Sequence, residues 1–270
     1  MILEKTIELI KQIYRIHKIV SPKVTKVVIG LGYTGVEVTG YAYEPFLGLA
    51  STLPDIIKKT DCSKIEFAGD LTNKPVSELL YWSLKPPSLE KIIGIATLNG
   101  LSQHILKIIN PYKKIEGSIL GHLNIDRDAK ITFIGLMRPL IKKVMEITQN
   151  ITIVEKNISF PLQFSDFELK QEINQLNDED LHNNIVFCTG TSLINNTLEL
   201  ILEKFKRVTR KIILIGPTAS MIPDILFDYG VDIVGGMQIN NSEATLQVLQ
   251  EGGGTMLFKN YGKKYNLMRE

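Results

Sequence analysis

From about residue 131 the chain repeats one unit, a short apolar strand followed by an amphipathic helix, and this rhythm limits the possible folds more than any other feature. Ile131-Thr132-Phe133-Ile134, Ile151-Thr152-Ile153-Val154, Ile185-Val186-Phe187-Cys188, Lys211-Ile212-Ile213-Leu214-Ile215 and Val231-Asp232-Ile233-Val234 read as successive strands. Helices fill the gaps. One opens at Arg138-Pro139 and turns Leu140, Ile141, Val144 and Met145 inward, and another carries Leu198, Leu200, Ile201 and Phe205. A short helix is expected from Pro223 to Tyr229 and a further one from about Ser242 to Leu249, with Thr255-Met256-Leu257-Phe258 as the last strand. Strands apolar throughout, alternating with amphipathic helices, specify an α/β fold: a mainly parallel sheet with helices on both faces. The stretch 159–183, with Phe160-Pro161, several acids and Asn183-Asn184, shows no strand pattern. The third strand is therefore expected on the far side of the first, in the order 2-1-3-4-5, with the switch point between first and third.

The part before residue 126 has a different rhythm. Ile7, Ile10, Ile13, Tyr14 and Ile16 form one face of an N-terminal helix, with Glu4, Lys5, Glu8, Lys11 and Arg15 towards water. Lys23–Ile29 and Val36–Tyr41 are β-branched runs separated by Gly30-Leu31-Gly32-Tyr33-Thr34-Gly35, the pattern of a hairpin. A loop is expected around Leu47–Thr52, a short helix near Pro75, and a longer one capped by Ser88 and continuing to Ile109, stopped by Asn110-Pro111. Gly117 falls in the mixed stretch that follows. The expected organisation is a smaller α+β domain, residues 1–125, followed by a Rossmann-like domain, residues 126–270.

Composition excludes several function classes. A net charge of +2 gives no electrostatic basis for nucleic-acid binding, and pairs such as Lys58-Lys59, Lys113-Lys114 and Lys142-Lys143 suit solvated helix faces. The two cysteines, Cys62 and Cys188, form no CxxC pair, so neither a zinc ribbon nor a disulfide framework is expected. The N-terminus lacks signal-peptide features, and no apolar run reaches the roughly 20 residues that cross a bilayer. A cytoplasmic protein without a membrane partner is expected, and a homo-oligomer is allowed.

Ligands of open parallel sheets bind beyond the carboxyl ends of the strands, at the switch point. Gly135-Leu136-Met137-Arg138, Thr189-Gly190-Thr191-Ser192 and Gly216-Pro217-Thr218-Ala219-Ser220 should meet there. The latter two are small and hydroxyl-rich, and each feeds a helix whose free amides attract negative charge. The dinucleotide fingerprint GxGxxG is absent after the first strand, where Gly135 alone is in place, so a nucleotide cofactor is not supported by it. Glu155 nevertheless ends the second strand about where an acid binds ribose. A transferase or oxidoreductase using a nucleotide cofactor is therefore the alternative. No HxH, HExxH or paired-cysteine spacing marks a metal site, although Glu37, Glu44, His104, His122, His182, Cys188 and Asp224 are donors to consider. Cys188 and His104 read first as core residues.

Several segments together resemble one family. They are Gly216–Ser220, Pro223–Asp232, Gly235-Gly236, Glu251-Gly252-Gly253-Gly254-Thr255, the loop and helix start Thr189–Leu198, and Ile93–Gly100, in which Gly100 stands where alanine is usual. The likeness, from about residue 20 to 265, is to the putative heavy-metal-chelation family, in which an enolase-N-terminal-like domain precedes a Rossmann-like one. It implies an interdomain cleft that binds a small anionic or metal-containing ligand, with a divalent or heavy metal ion as the expected cofactor. Thr189, Gly190, Thr191, Ser192, Asn195, Gly216, Thr218 and Ser220 would form one wall and Asn99 the other, with Glu155 supplying charge and Glu37 and Asp224 as metal ligands.

Overall fold

The computed structural model describes residues 1–40, 44–58, 65–109, 112–115, 118–156 and 168–269. Tyr41, Lys59, Cys62, the Asn110-Pro111 stop, Gly117 and Phe160-Pro161 lie outside the described residues.

The first part begins with α1 (Ile2–Ile16) and then β1 (Lys23–Ile29), β2 (Tyr33–Thr39) and β3 (Pro45–Ser51). The helices α2 (Pro54–Lys58), α3 (Val76–Trp82) and α4 (Leu89–Ile108) follow. The three strands form an antiparallel meander in the order β1-β2-β3. The expected loop around Leu47–Thr52 is thus corrected: Pro45–Ser51 is a strand paired with β2 along its length. Its central residues Phe46–Ala50 are all buried, so the in–out alternation that marks a half-exposed strand is absent, and Gly48 adds a false turn signal. That glycine is required by packing, because a Cβ there would collide with the Ala96 carbonyl and the Gly100 amide of α4. Helix α4 starts where Ser88 Oγ accepts from Lys91 N–H at 3.2 Å. It is buried continuously from Lys91 to Ile105, as a helix apolar all round must be.

The remainder contains β4 (Lys113–Lys114), α5 (Ile119–Leu123), β5 (Ile131–Ile134), α6 (Arg138–Met145), β6 (Ile151–Val154), β7 (Glu168–Lys170) and α7 (Asp178–Leu181). It continues with β8 (Ile185–Thr189), α8 (Thr191–Ile194), α9 (Leu198–Phe205), β9 (Lys211–Ile215) and α10 (Asp224–Asp228). β10 (Ile233–Ile239), α11 (Ser242–Gln250), α12 (Thr255–Phe258) and β11 (Gly262–Met268) complete the series. These strands form a single eight-stranded sheet in the order β4-β11-β10-β9-β8-β5-β6-β7. The expected 2-1-3-4-5 arrangement is present as β6-β5-β8-β9-β10, all parallel, and the fold is α/β and Rossmann-like.

Two expectations about this sheet are corrected. A strand does lie within 159–183: β7 pairs in parallel with β6, but its three residues are exposed or half-buried and carry no apolar pattern. Thr255–Phe258 is the helix α12, and the last strand is Gly262–Met268, antiparallel to β10. A four-residue apolar run does not distinguish helix from strand, and the true strand is largely polar because part of it faces water.

Side-chain alternation assigns the two faces of the sheet. Val186, Cys188, Leu214 and Val234 join the large core that continues through α4, the meander and α1. Phe133, Phe187, Ile213 and Ile233 point the other way, onto α6 and its neighbours. At roughly 1.5–3 kcal/mol for each fully buried large apolar side chain, these two clusters dominate the favourable energetics of folding. No helix among the described residues is long and apolar enough to cross a membrane.

Candidate functional site

The strand order places the switch point between β5 and β8, which pair in parallel from Ile131↔Ile185 to Ile134↔Cys188. A cavity of about 940 Å³ opens at their carboxyl ends. The parallel sheet contributes Gly135, Leu136, Met137, Glu155 and Lys156, and the loop after β8 contributes Thr189, Thr191, Ser192, Asn195 and Thr197. Facing them are Leu53–Ile56 at the start of α2 and Pro87–Glu90 at the start of α4, with Gln171–Asn174 from the segment after β7. Thr189, Thr191, Ser192, Asn195 and Glu155 therefore lie on one cavity, as residues brought together.

Within that loop the side chains first hold one another. Ser192 Oγ donates to the Thr189 carbonyl at 2.8 Å, and Thr191 Oγ1 donates to Thr189 Oγ1 at 3.3 Å. Thr191 stays half-exposed, whereas Ser192 is nearly buried. Gly190 is buried because the neighbouring loop presses on it: a Cβ there would lie 2.7 Å from Ala219 N and 3.0 Å from Thr218 Cβ.

The loop after β5 is closed on itself. Gly135 turns the chain with φ +103, and a side chain there would also meet Thr189 Cγ2 at 2.7 Å. Leu136 N–H donates to Glu155 Oε2 at 2.9 Å and Met137 N–H donates back to the Gly135 carbonyl at 3.0 Å. Pro139 in the first turn of α6 has no N–H. The amides that a dinucleotide pyrophosphate uses in this position are thus largely committed within the protein.

Gly216, Thr218, Ser220 and Asn99 sit elsewhere, in the seam between the parallel sheet and the meander. Gly216 adopts φ +124 and leads into a 3-10 turn over Pro217–Ala219. Thr218 Oγ1 accepts from Ser51 N–H at 3.0 Å. The Asn99 amide donates to the Leu49 carbonyl at 2.8 Å and the Thr218 carbonyl at 2.9 Å. Gln103 donates to the Ser220 carbonyl and to Tyr265 Oη, while Ser220 Oγ accepts from Met237 N–H. Burial pushes the Tyr265 hydroxyl up to about 12, with the hydrogen bonds from Gln103 and Ser220 opposing it, so it stays a neutral hydrogen-bonding group. Asn99, Gln103, Thr218 and Ser220 are nearly inaccessible and hydrogen-bond across the seam, while Asn99 Oδ1 is buried without a partner.

The metal-donor candidates are dispersed. Glu37 is buried, accepts from Thr25 Oγ1 at 2.7 Å, and borders a shallower cavity of about 470 Å³ with Asn240, Asn241 and Glu243. Asp224 lies in the first turn of α10 and accepts from the Tyr112 hydroxyl at 2.5 Å. Burial first, and then Asp224, raise the Tyr112 hydroxyl above its ordinary value. His104 contacts Tyr14 Oη through Nδ1 and packs against Phe46; burial lowers its pKa and Glu44 partly opposes this. His182 Nδ1 meets the Asp178 carbonyl, and His122 is exposed on α5. Cys188 is fully buried, its thiol donates to Ser192 Oγ, and burial pushes it up to about 12. Among the described residues no group of three or more His, Cys, Asp or Glu is placed to hold a metal ion. This donor set does not fit a bare heavy-metal ion held by protein side chains alone.

Asp55, Glu90, Glu172 and Lys156 are cavity residues that the strand-end rule missed. Asp55 and Glu90 are first-turn acids after a Pro54 or Ser88 helix start, a signal that usually means only dipole compensation.

Comparison with known proteins agrees with this architecture. Residues 118–268 match the DUF364 family model and residues 15–102 match DUF4213, both described as "Putative heavy-metal chelation". An uncharacterised protein of Methanocaldococcus jannaschii is 28% identical over 200 residues, 72% of each chain. A solved DUF364-family structure from Pyrococcus horikoshii, titled as of unknown function, has a TM-score of 0.75 at 21% identity over the whole of both chains. Another, from Desulfitobacterium hafniense, has a TM-score of 0.70 at 17% identity and covers 97% of this chain and 100% of its own. At these identities the two structures show the shared fold. With more than half its length matched by one family model, the chain belongs to the DUF364 family, whose description is heavy-metal chelation of putative standing.

Proposed function

We propose that the chain binds a small metal-containing ligand, a metal ion that arrives with organic donors of its own, in the cavity beyond β5, β6 and β8. The observation that carries this reading is the make-up of the cavity wall. Carboxylates of Asp55, Glu90, Glu155 and Glu172 line it together with Lys156 and with hydroxyls and amides from Thr189, Thr191 and Asn195. Oxygen donors of this kind suit the outer face of a metal complex or one or two open positions on the metal, whereas a fully protein-chelated soft ion calls for clustered thiolates or imidazoles. Glu90 is paired with Lys85 at 3.4 Å, and the wall's oxygen donors, more than its net charge, suit a metal-bearing ligand. The division into an α+β unit, 1–125, and a Rossmann-like unit, 126–270, belongs to the same proposal, with the cavity as the cleft between them, although β4 and α5 before residue 126 already pack with the eight-stranded sheet. Family membership supports the metal, and the cavity supports the form in which it comes.

Calorimetric titration tests this with nickel, cobalt and zinc chlorides and with their citrate and nitrilotriacetate complexes. Saturable binding of a complex, weakened about tenfold in Thr191→Val, is expected, a loss of about 1.4 kcal/mol. Binding of nicotinamide cofactors or S-adenosylmethionine in place of any metal species would defeat the proposal.

A further inference from the structure

We infer that the ligand of this cavity carries an apolar organic body, the size of an aromatic ring or larger, beside its metal-binding donors. The inference rests on the cavity being the ligand site, as proposed above, and names the class of chelator that brings the metal.

Large apolar side chains reach the cavity from five separate segments. They are Leu53 before α2, Leu89 in the first turn of α4, Leu136 and Met137 after β5, Ile173 after β7, and Leu200 on α9. Leu200 is 39% exposed and the other five are half-buried, so all six keep apolar surface that folding left uncovered. A hydrated ion or a small polycarboxylate complex presents only polar faces and would leave that surface in water. An apolar body would take it out of water, the dominant favourable contribution to most associations. The β5 loop is the clearest case. Dinucleotide-binding domains of this topology carry a glycine two residues after the first one, so that the backbone can approach the ligand. Met137 stands at that position here, beside Leu136. Their backbone is fixed: Gly135 turns with φ +103, Leu136 N–H donates to Glu155 Oε2 at 2.9 Å, and Met137 N–H donates to the Gly135 carbonyl at 3.0 Å. At these two positions the loop therefore presents side chains and not free amides, and the unbranched methionine adapts to the outline of what it covers. Room is ample. The 940 Å³ of the cavity lies near the upper end of the range of about 300–1,000 Å³ common to small-molecule sites.

The test compares the nickel complexes of iminodiacetate and N-benzyliminodiacetate, which share donor atoms and charge and differ by one benzyl group. Titration calorimetry on the wild type should give at least about tenfold tighter binding of the benzyl complex. Leu136→Ser and Leu200→Ser should each cut that ratio by about threefold or more. Leu200 is already partly exposed, so its serine variant decides alone if Leu136→Ser does not fold. A ratio near one in the wild type, or a ratio that the serine variants leave intact, overturns the inference; if both complexes still bind, the proposed function stands without it. Metal-free N-benzyliminodiacetate that binds as tightly as its nickel complex would instead remove the metal from the proposed function and leave the apolar subsite standing. Binding of neither complex refutes both.

Discussion

Thr189-Gly190-Thr191-Ser192 and Gly216-Pro217-Thr218-Ala219-Ser220 follow neighbouring parallel strands, carry the same hydroxyl-and-glycine chemistry, and meet opposite surroundings. The first lines the 940 Å³ cavity, and the second lies under α4 and β3 with Thr218 and Ser220 almost inaccessible. They touch at Gly190, whose missing side chain admits the Thr218-Ala219 backbone. What separates them is the element above each strand end. Over β9, Asn99, Gln103 and Ser51 take up the loop's polar groups, whereas over β5 and β8 the starts of α2 and α4 stand back and leave space. Polar residues at a strand end thus become adhesive or site according to what covers them.

The comparison can be broken most decisively at Asn99. Asn99→Leu leaves the Leu49 and Thr218 carbonyls buried without their donor, and about 2–5 kcal/mol of stability should disappear in denaturant unfolding. A loss under about 0.5 kcal/mol would mean that the second loop is not a seam. Gly190→Ala probes the contact between the loops. Its Cβ must displace Ala219 N or Thr218 Cβ, at a cost of about 1–3 kcal/mol, and unchanged thermal stability would show that the loops are not in register as described. Matched threonine variants sharpen the contrast. Thr218→Val should lower stability by about 1–3 kcal/mol, because Ser51 N–H loses its acceptor, and should leave metal-complex binding intact. Thr191→Val should do the reverse, with stability within about 0.5 kcal/mol of wild type and weaker binding. Equal profiles for the two variants would erase the distinction.

The smallest effect concerns Cys188, beneath the first loop. Its folded thiol is pushed up to about 12 by burial, while an unfolded thiol ionises near 8.5. A raised folded value stabilises the folded state fully below the unfolded value, and that contribution is lost as pH rises through the interval towards 12. Alkylation of the Cys188 peptide, followed by mass spectrometry at pH 8, should therefore wait for unfolding. Prompt labelling of folded protein would show a thiol open to the cavity.

Much of the fold was legible in the sequence because burial on both faces of a parallel sheet forces apolar runs such as Ile185–Cys188, and intervening amphipathic helices force parallel pairing. Ser88 and Pro139 announced helix starts through simple backbone chemistry. Failures occurred where those rules lose their contrast. β3 is buried too evenly to alternate, β7 is too short and exposed to carry a pattern, and Thr255–Phe258 is an apolar run short enough to coil into α12. The candidate site was half legible. Strand-end rules led to Thr189, Thr191, Ser192, Asn195 and Glu155, but Asp55, Glu90 and Glu172 reach the same cavity from segments with no sequence relation to it.

By itself, then, the sequence determined the layered α/β plan, the place of the switch point and the chemistry available at each strand end, since these follow from local periodicity and from connection rules. Tertiary structure alone decided which of the two similar loops faces solvent and which is sealed. It also decided that Glu155 turns onto the Leu136 amide. Both outcomes depend on the packing of α4 and β3 against the sheet and on the pairing of β7 with β6, contacts between distant residues that no local pattern encodes.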